Sequence, residues 1–107
     1  MGKLVRDRIP EIIRADGGSP RVSKLKPDEF RQALLQKLLE ESEEAVDSAP
    51  DHLLEELADV QEVLLALLTT NGWAIEDLES VRSDKKRERG AFSEAFYLHS
   101  EEDKRLG

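Results

Sequence analysis

Two long segments of helical apolar periodicity, separated by the five residues Ser48 to His52, constrain this chain more than any other feature. From Asp28 to about Asp47 the residues Leu34, Leu35, Leu38, Leu39, Ala45 and Val46 recur at helical spacing. Pro27 is placed to open that helix and Ser48-Ala49-Pro50 to stop it. From about Leu53 to Thr70, Leu, Val and Ala dominate nearly every side, and Asn71-Gly72 supplies a C-terminal stop. So short a connector folds the chain back alongside itself. The two segments therefore predict an antiparallel helical hairpin, with the second helix its most buried element.

The flanking chain is weaker in pattern but still helical. Arg8 to Asp16 carries Pro10 near a helix start and ends at Gly17-Gly18. Ser19 to Lys26 has no helical period and reads as extended or irregular chain. A fourth helix covers Glu76 to about Arg89 and halts at Gly90, and Phe92, Phe96 and Leu98 suggest a short segment docked by apolar anchors. Residues 99–107 read as a solvated tail. The expected fold is all-α, a bundle of about four helices around the central hairpin, in one domain over residues 1–98.

Charge narrows the function classes. Lys plus Arg number 16 against 24 Asp plus Glu, a formal charge of -8 that opposes nucleic acid or an anionic membrane as the main partner. Without cysteine there is no disulfide framework, thiolate zinc site or thiol nucleophile, and His52 and His99 alone cannot build a His-rich metal site. No apolar run approaches the roughly 18 residues that span a bilayer, and the N-terminus lacks an apolar stretch of signal-peptide length, so a cytoplasmic protein is expected. With 37% of residues charged and 38% hydrophobic, self-association would help the chain bury apolar area.

The chemistry is suggested by where the acids fall around the helices. Advancing about 100° per residue from Leu34 puts Glu41 near 340°, inside the apolar arc between Phe30 and Leu34, with Glu44 at its margin. The same count from Leu53 puts Glu56 near 300°, among Val63, Leu67 and Val60, and Asp59 between Ala66 and Val63. Glu41, Glu44, Glu56 and Asp59 thus project onto or beside buried faces of neighbouring helices. Clustered buried carboxylates require protons, basic partners or a cation. All-oxygen ligands favour a hard ion, Mg²⁺ or Mn²⁺, over zinc; ion pairing with Arg or Lys across an oligomer interface is the alternative.

Two basic groups complete the inventory: Lys3, Arg6 and Arg8 near the N-terminus, and Arg82, Lys85, Lys86, Arg87 and Arg89 late in the fourth helix. Cations near a helix C-terminus are ordinary dipole partners, but beside a metal cluster they are what a polyphosphate requires. Trp73, just after the third helix, reads either as a core plug or as a platform on which a base stacks.

At these residues the chain resembles a family. Glu40-Glu41-x-x-Glu44 followed by Glu56-x-x-Asp59 is similar to the EExxE and ExxD signature of the MazG-like all-α nucleoside triphosphate pyrophosphohydrolases. KLVRDRIPEII (Lys3 to Ile13) and Lys85-x-x-x-Arg89-Gly90-x-Phe92 resemble the ends of its short subgroup of house-cleaning or phosphoribosyl-ATP pyrophosphohydrolase-like proteins. The resemblance spans most of Lys3 to Leu98, and the N-terminal string is its most specific part.

The resemblance implies a helical bundle that dimerises or forms a tetramer, binds Mg²⁺, and cleaves a nucleotide between the α and β phosphates to release pyrophosphate. It makes Glu41, Glu44, Glu56 and Asp59 metal ligands and Glu40 the group that orients or deprotonates the attacking water, beside Glu41. Lys85 and Arg89 become phosphate contacts, with Lys3, Arg6 and Arg8 as additions. Two rivals remain: phosphoribosyl-ATP pyrophosphohydrolase of histidine biosynthesis, and a non-catalytic helical oligomerisation module.

Overall fold

The computed structural model describes residues 2–100, and within them every regular element is helical. In chain order these are α1 (Ile9–Ala15), α2 (Pro27–Asp47), a single 3₁₀ turn (Pro50–His52), α3 (Leu53–Thr70) and α4 (Ile75–Arg89). The all-α class, the number of helices and the central hairpin are as the periodicity predicts. The 3₁₀ turn, which was not anticipated, makes the return between α2 and α3. Of the expected tail at 99–107, residues from 101 onward lie outside the described ones.

The chain forms two compact units, Met1–Ile75 and Glu76–Gly107, where the sequence reading spans one domain. In the first, α2 starts because Pro27 occupies the position whose missing N–H costs nothing, and the Lys26 N–H donates to Glu29 Oε1 at 3.0 Å. Asp28 and Glu29 add favourable charge at the positive end of the helix dipole. Its last turn is tied by the Ser48 hydroxyl, which donates to the Ala45 carbonyl at 2.9 Å. α3 ends where Gly72 adopts φ +77°, a conformation that costs a side-chain-bearing residue, and the Asn71 side-chain amide donates to the Leu67 carbonyl at 2.8 Å.

The core of this unit is small. α2 packs on α3, and the buried apolar side chains among the described residues are Leu34, Val63 and Leu68. Each contributes roughly 1.5–3 kcal/mol by leaving water. The hairpin leaves Leu35, Leu39 and Val46 of α2 and Leu53, Leu54, Leu57 and Leu64 of α3 exposed. α3 is still the element with the largest share of its residues kept from solvent, as expected, but only along part of its circumference. A helix apolar on several sides buries only the stripe its single neighbour covers.

In the second unit, α4 buries no residue. Two ion pairs run along the helix: Arg82 forks onto Glu79 at 2.8 and 2.9 Å, and Arg87 donates to Asp84. The helix halts at Gly90, φ +85°, as its sequence indicated. The docked segment that Phe92, Phe96 and Leu98 suggested is not formed: all three are exposed, Phe92 by 94%. The apolar residues of α4, Ile75, Leu78 and Val81, fall in its first two turns and are themselves exposed, while the turns beside Gly90 are charged and offer no apolar face. Among the described residues no helix is long and apolar enough to cross a membrane.

Candidate metal centre

The first unit carries a cleft of about 470 Å³ between the N-terminal segment and the α2–α3 hairpin. Half-buried Leu4 and Val5 line it from the N-terminal side. Phe30 and Leu34 of α2, with Val63 and Ala66 of α3, supply the apolar remainder. The charged lining includes Arg6, Lys37, Glu41 and Asp59, so one apolar cleft has a wall of mixed charge.

At that wall three carboxylates converge. Glu41, Glu56 and Asp59 each offer an oxygen, and these oxygens lie within 4.8 Å of one another. The i, i+3 spacing of Glu56 and Asp59 puts both on one face of α3, and the hairpin brings Glu41 of α2 opposite them. Glu41 is 8% exposed, and the other two are half-buried.

The partners of these acids divide them. Asp59 Oδ1 accepts from Arg6 Nη2 at 2.6 Å, and Lys37 Nζ lies 3.5 Å from Glu41 Oε1, one helical turn away. Glu41 Oε2 and Glu56 Oε2 are buried with no hydrogen-bond partner. With all five groups ionised the cluster keeps one negative charge in excess. Burial pushes the Glu41 carboxyl above its ordinary value of 4.5, and the adjacent Glu44, by its charge and its hydrogen bond, pushes the same way against the opposing pull of Lys37. A hard divalent cation fits this donor set, because it takes oxygen ligands and would satisfy the two orphaned atoms.

Of the expected site residues, the structure brings together Glu41, Glu56 and Asp59. Glu44, three residues after Glu41, is close enough for its charge to raise the Glu41 carboxyl but is exposed and outside the convergent group. Glu40 is exposed on α2. Arg6 and Arg8 line the cleft, Arg8 also donating to Glu11 Oε1 at 2.6 Å, and Lys3 is exposed nearby in sequence. Lys85 and Arg89 are exposed on α4, in the second unit. Trp73, 57% exposed, is no core plug.

One member of the cluster and one pairing escaped sequence reasoning. Lys37 stands four residues before Glu41 and so shares its face, a signal that was available. The pairing of Arg6 with Asp59 joins residues 53 apart, and no periodicity encodes it.

Comparison with known proteins is sparse. No family model matches the chain, and no solved structure matches it. A Mycolicibacterium smegmatis protein described only as uncharacterized is 56% identical over 41 residues, 38% of this chain and 42% of that protein. The aligned part thus spans less than half the length of either.

Proposed function

We propose that the protein is a Mg²⁺-dependent nucleotide pyrophosphohydrolase, cleaving a nucleoside triphosphate or related nucleotide at the α–β phosphate bond. One observation carries the reading: two buried, partnerless carboxylate oxygens, on Glu41 and Glu56, inside a three-carboxylate group at a cleft. The similarity of Glu40-Glu41-x-x-Glu44 and Glu56-x-x-Asp59 to the MazG-like signature supports the same chemistry.

In this reading Glu41, Glu56 and Asp59 hold Mg²⁺ or Mn²⁺, with Glu44 joining from beside Glu41. Bound there, the cation neutralises phosphate charge and acidifies water. Glu40 takes the proton of the attacking water, whose oxygen bonds to the α phosphorus as the α–β anhydride breaks and pyrophosphate leaves. Arg6 and Arg8 at the cleft, with Lys3, neutralise phosphate oxygens. The same reading makes the protein a cytoplasmic homo-oligomer, dimer or tetramer; exposed Leu39, Val46 and Leu54 on the hairpin support self-association. Phosphoribosyl-ATP is the runner-up substrate.

The deciding experiment is a screen of nucleotides for pyrophosphate release with and without Mg²⁺. Release of orthophosphate and a nucleoside diphosphate from a triphosphate would overturn the assignment. A second reading, a non-catalytic helical module, is favoured by the ion pairs Arg6–Asp59 and Lys37–Glu41, which supply cations to two of the acids without a metal. Such a module would show neither Mg²⁺ binding nor turnover.

A further inference from the structure

We infer that Arg6 is a built-in counter-ion of the carboxylate cluster, which competes with an incoming divalent cation for Asp59. The inference rests on the metal-binding reading above and adds what the N-terminal segment does to it. The cluster is more than a group of acids, because Glu41 is buried and its Oε2, like that of Glu56, is shut off from solvent with no hydrogen-bond partner. An unsatisfied buried carboxylate oxygen is costly, and a cation between these residues satisfies it.

Asp59 differs from both. Its Oδ1 is engaged at 2.6 Å by the Arg6 guanidinium, which comes from outside the helices. Lys37 leaves Glu41 Oε2 uncovered, and at 3.5 Å from Oε1 it belongs to the same helix. It can stay while an ion binds. An ion that takes Asp59 Oδ1 must break its bond to Arg6, and one that takes Oδ2 still sits against the guanidinium charge. A divalent cation seated among these carboxylates also lies close to two resident cations, Arg6 and Lys37, and is repelled by both. Arg6 is the one to leave: its side chain is 56% exposed against 20% for Lys37, and an exposed pair is weakly held. The segment therefore sets metal affinity by competition, and the displaced guanidinium stays at the cleft it lines.

The test is Mn²⁺ binding to the intact chain, followed by the electron paramagnetic resonance signal of the free ion, for wild type, Arg6→Gln and Arg6→Met. Both variants should bind Mn²⁺ about five-fold tighter, the equivalent of the ~1 kcal/mol that an exposed ion pair reaches at most. Arg6→Met retains an alkyl stem against the cleft, and circular dichroism of both variants should match wild type. Arg8→Gln, at the same cleft but paired with Glu11, should leave affinity within about two-fold. Unchanged or weaker binding in both Arg6 variants, or equal tightening in Arg8→Gln, overturns the competition while the metal site stands. Failure of every form to bind Mn²⁺, with a non-hydrolysable triphosphate present as well as without it, overturns the metal reading and this inference together.

Discussion

The α2–α3 hairpin and α4 are both rich in charge, yet they use it in opposite ways. On α4 the ion pairs Arg82–Glu79 and Arg87–Asp84 join residues three apart, and no residue of the helix is buried. On the hairpin, three carboxylates from two helices converge, and Arg6 meets Asp59 across 53 residues. Charges matched along one helix solvate it and stabilise it slightly, since exposed neighbours are screened by water. Charges gathered by tertiary folding, with two oxygens left unpaired, oppose the fold that gathers them. The difference teaches that in a chain this acidic the informative carboxylates are those whose partners are missing.

The contrast is broken most forcefully by neutralising the convergent acids. Glu41→Gln and Asp59→Asn should each lower Mg²⁺-dependent pyrophosphate release by on the order of 10²-fold or more, with helix content unchanged. Full activity in both would make the hairpin acids as ornamental as those of α4.

The next effect asks whether α4 is only a solvated ladder. If Arg89 is the phosphate contact that the resemblance implies, Arg89→Lys should cost about ten-fold in kcat/KM, because a point charge cannot reproduce a bidentate fork. Arg87→Lys should do less, since Arg87 is already engaged by Asp84. Equal tolerance of the two would return Arg89 to the ladder.

Ligand linkage sharpens the contrast without turnover. Mg²⁺ with a non-hydrolysable triphosphate at ten times its dissociation constant should add ~1.4 kcal/mol, a rise of several degrees in Tm, and Glu56→Gln should abolish it. A shift preserved in Glu56→Gln would place the ion elsewhere.

The smallest effect is on the metal-free protein and follows from Glu41. Its carboxyl is raised above 4.5 in the folded state, chiefly by burial. The folded protein therefore holds that proton more tightly than the unfolded chain, and this contribution is present below pH 4.5 and is lost as pH rises through the folded value. Glu41→Gln should consequently melt above wild type at neutral pH, and the advantage should fade as pH falls toward 4.5. A thermal melt at each pH measures it; a lower neutral Tm for the variant would show that the Lys37 pair outweighs burial.

Much of the secondary structure was legible. α3 runs from Leu53 to Thr70 as expected, and α1, α2 and α4 differ from expectation by a residue or so at their ends. Pro27, Gly72 and Gly90 act through their own backbone, so the stops they impose are local. The facing of Glu41, Glu56 and Asp59 was legible too, because 3.6 residues per turn and a short connector decide which side chains oppose each other.

What the sequence by itself determined, then, is the set of helices and the faces on which the acids lie, since both depend on contacts within a few residues. Tertiary structure alone decided how those faces are used. Glu44 and Glu41 differ by less than one turn, yet Glu41 is buried and Glu44 exposed, because the width of the covered stripe depends on what packs against it. The exposure of Leu54 and Phe92 has the same origin, for apolar character drives burial only where a partner surface exists. The Arg6–Asp59 pair is the clearest case, an attraction between distant residues that exists only once the N-terminal segment lies along the hairpin.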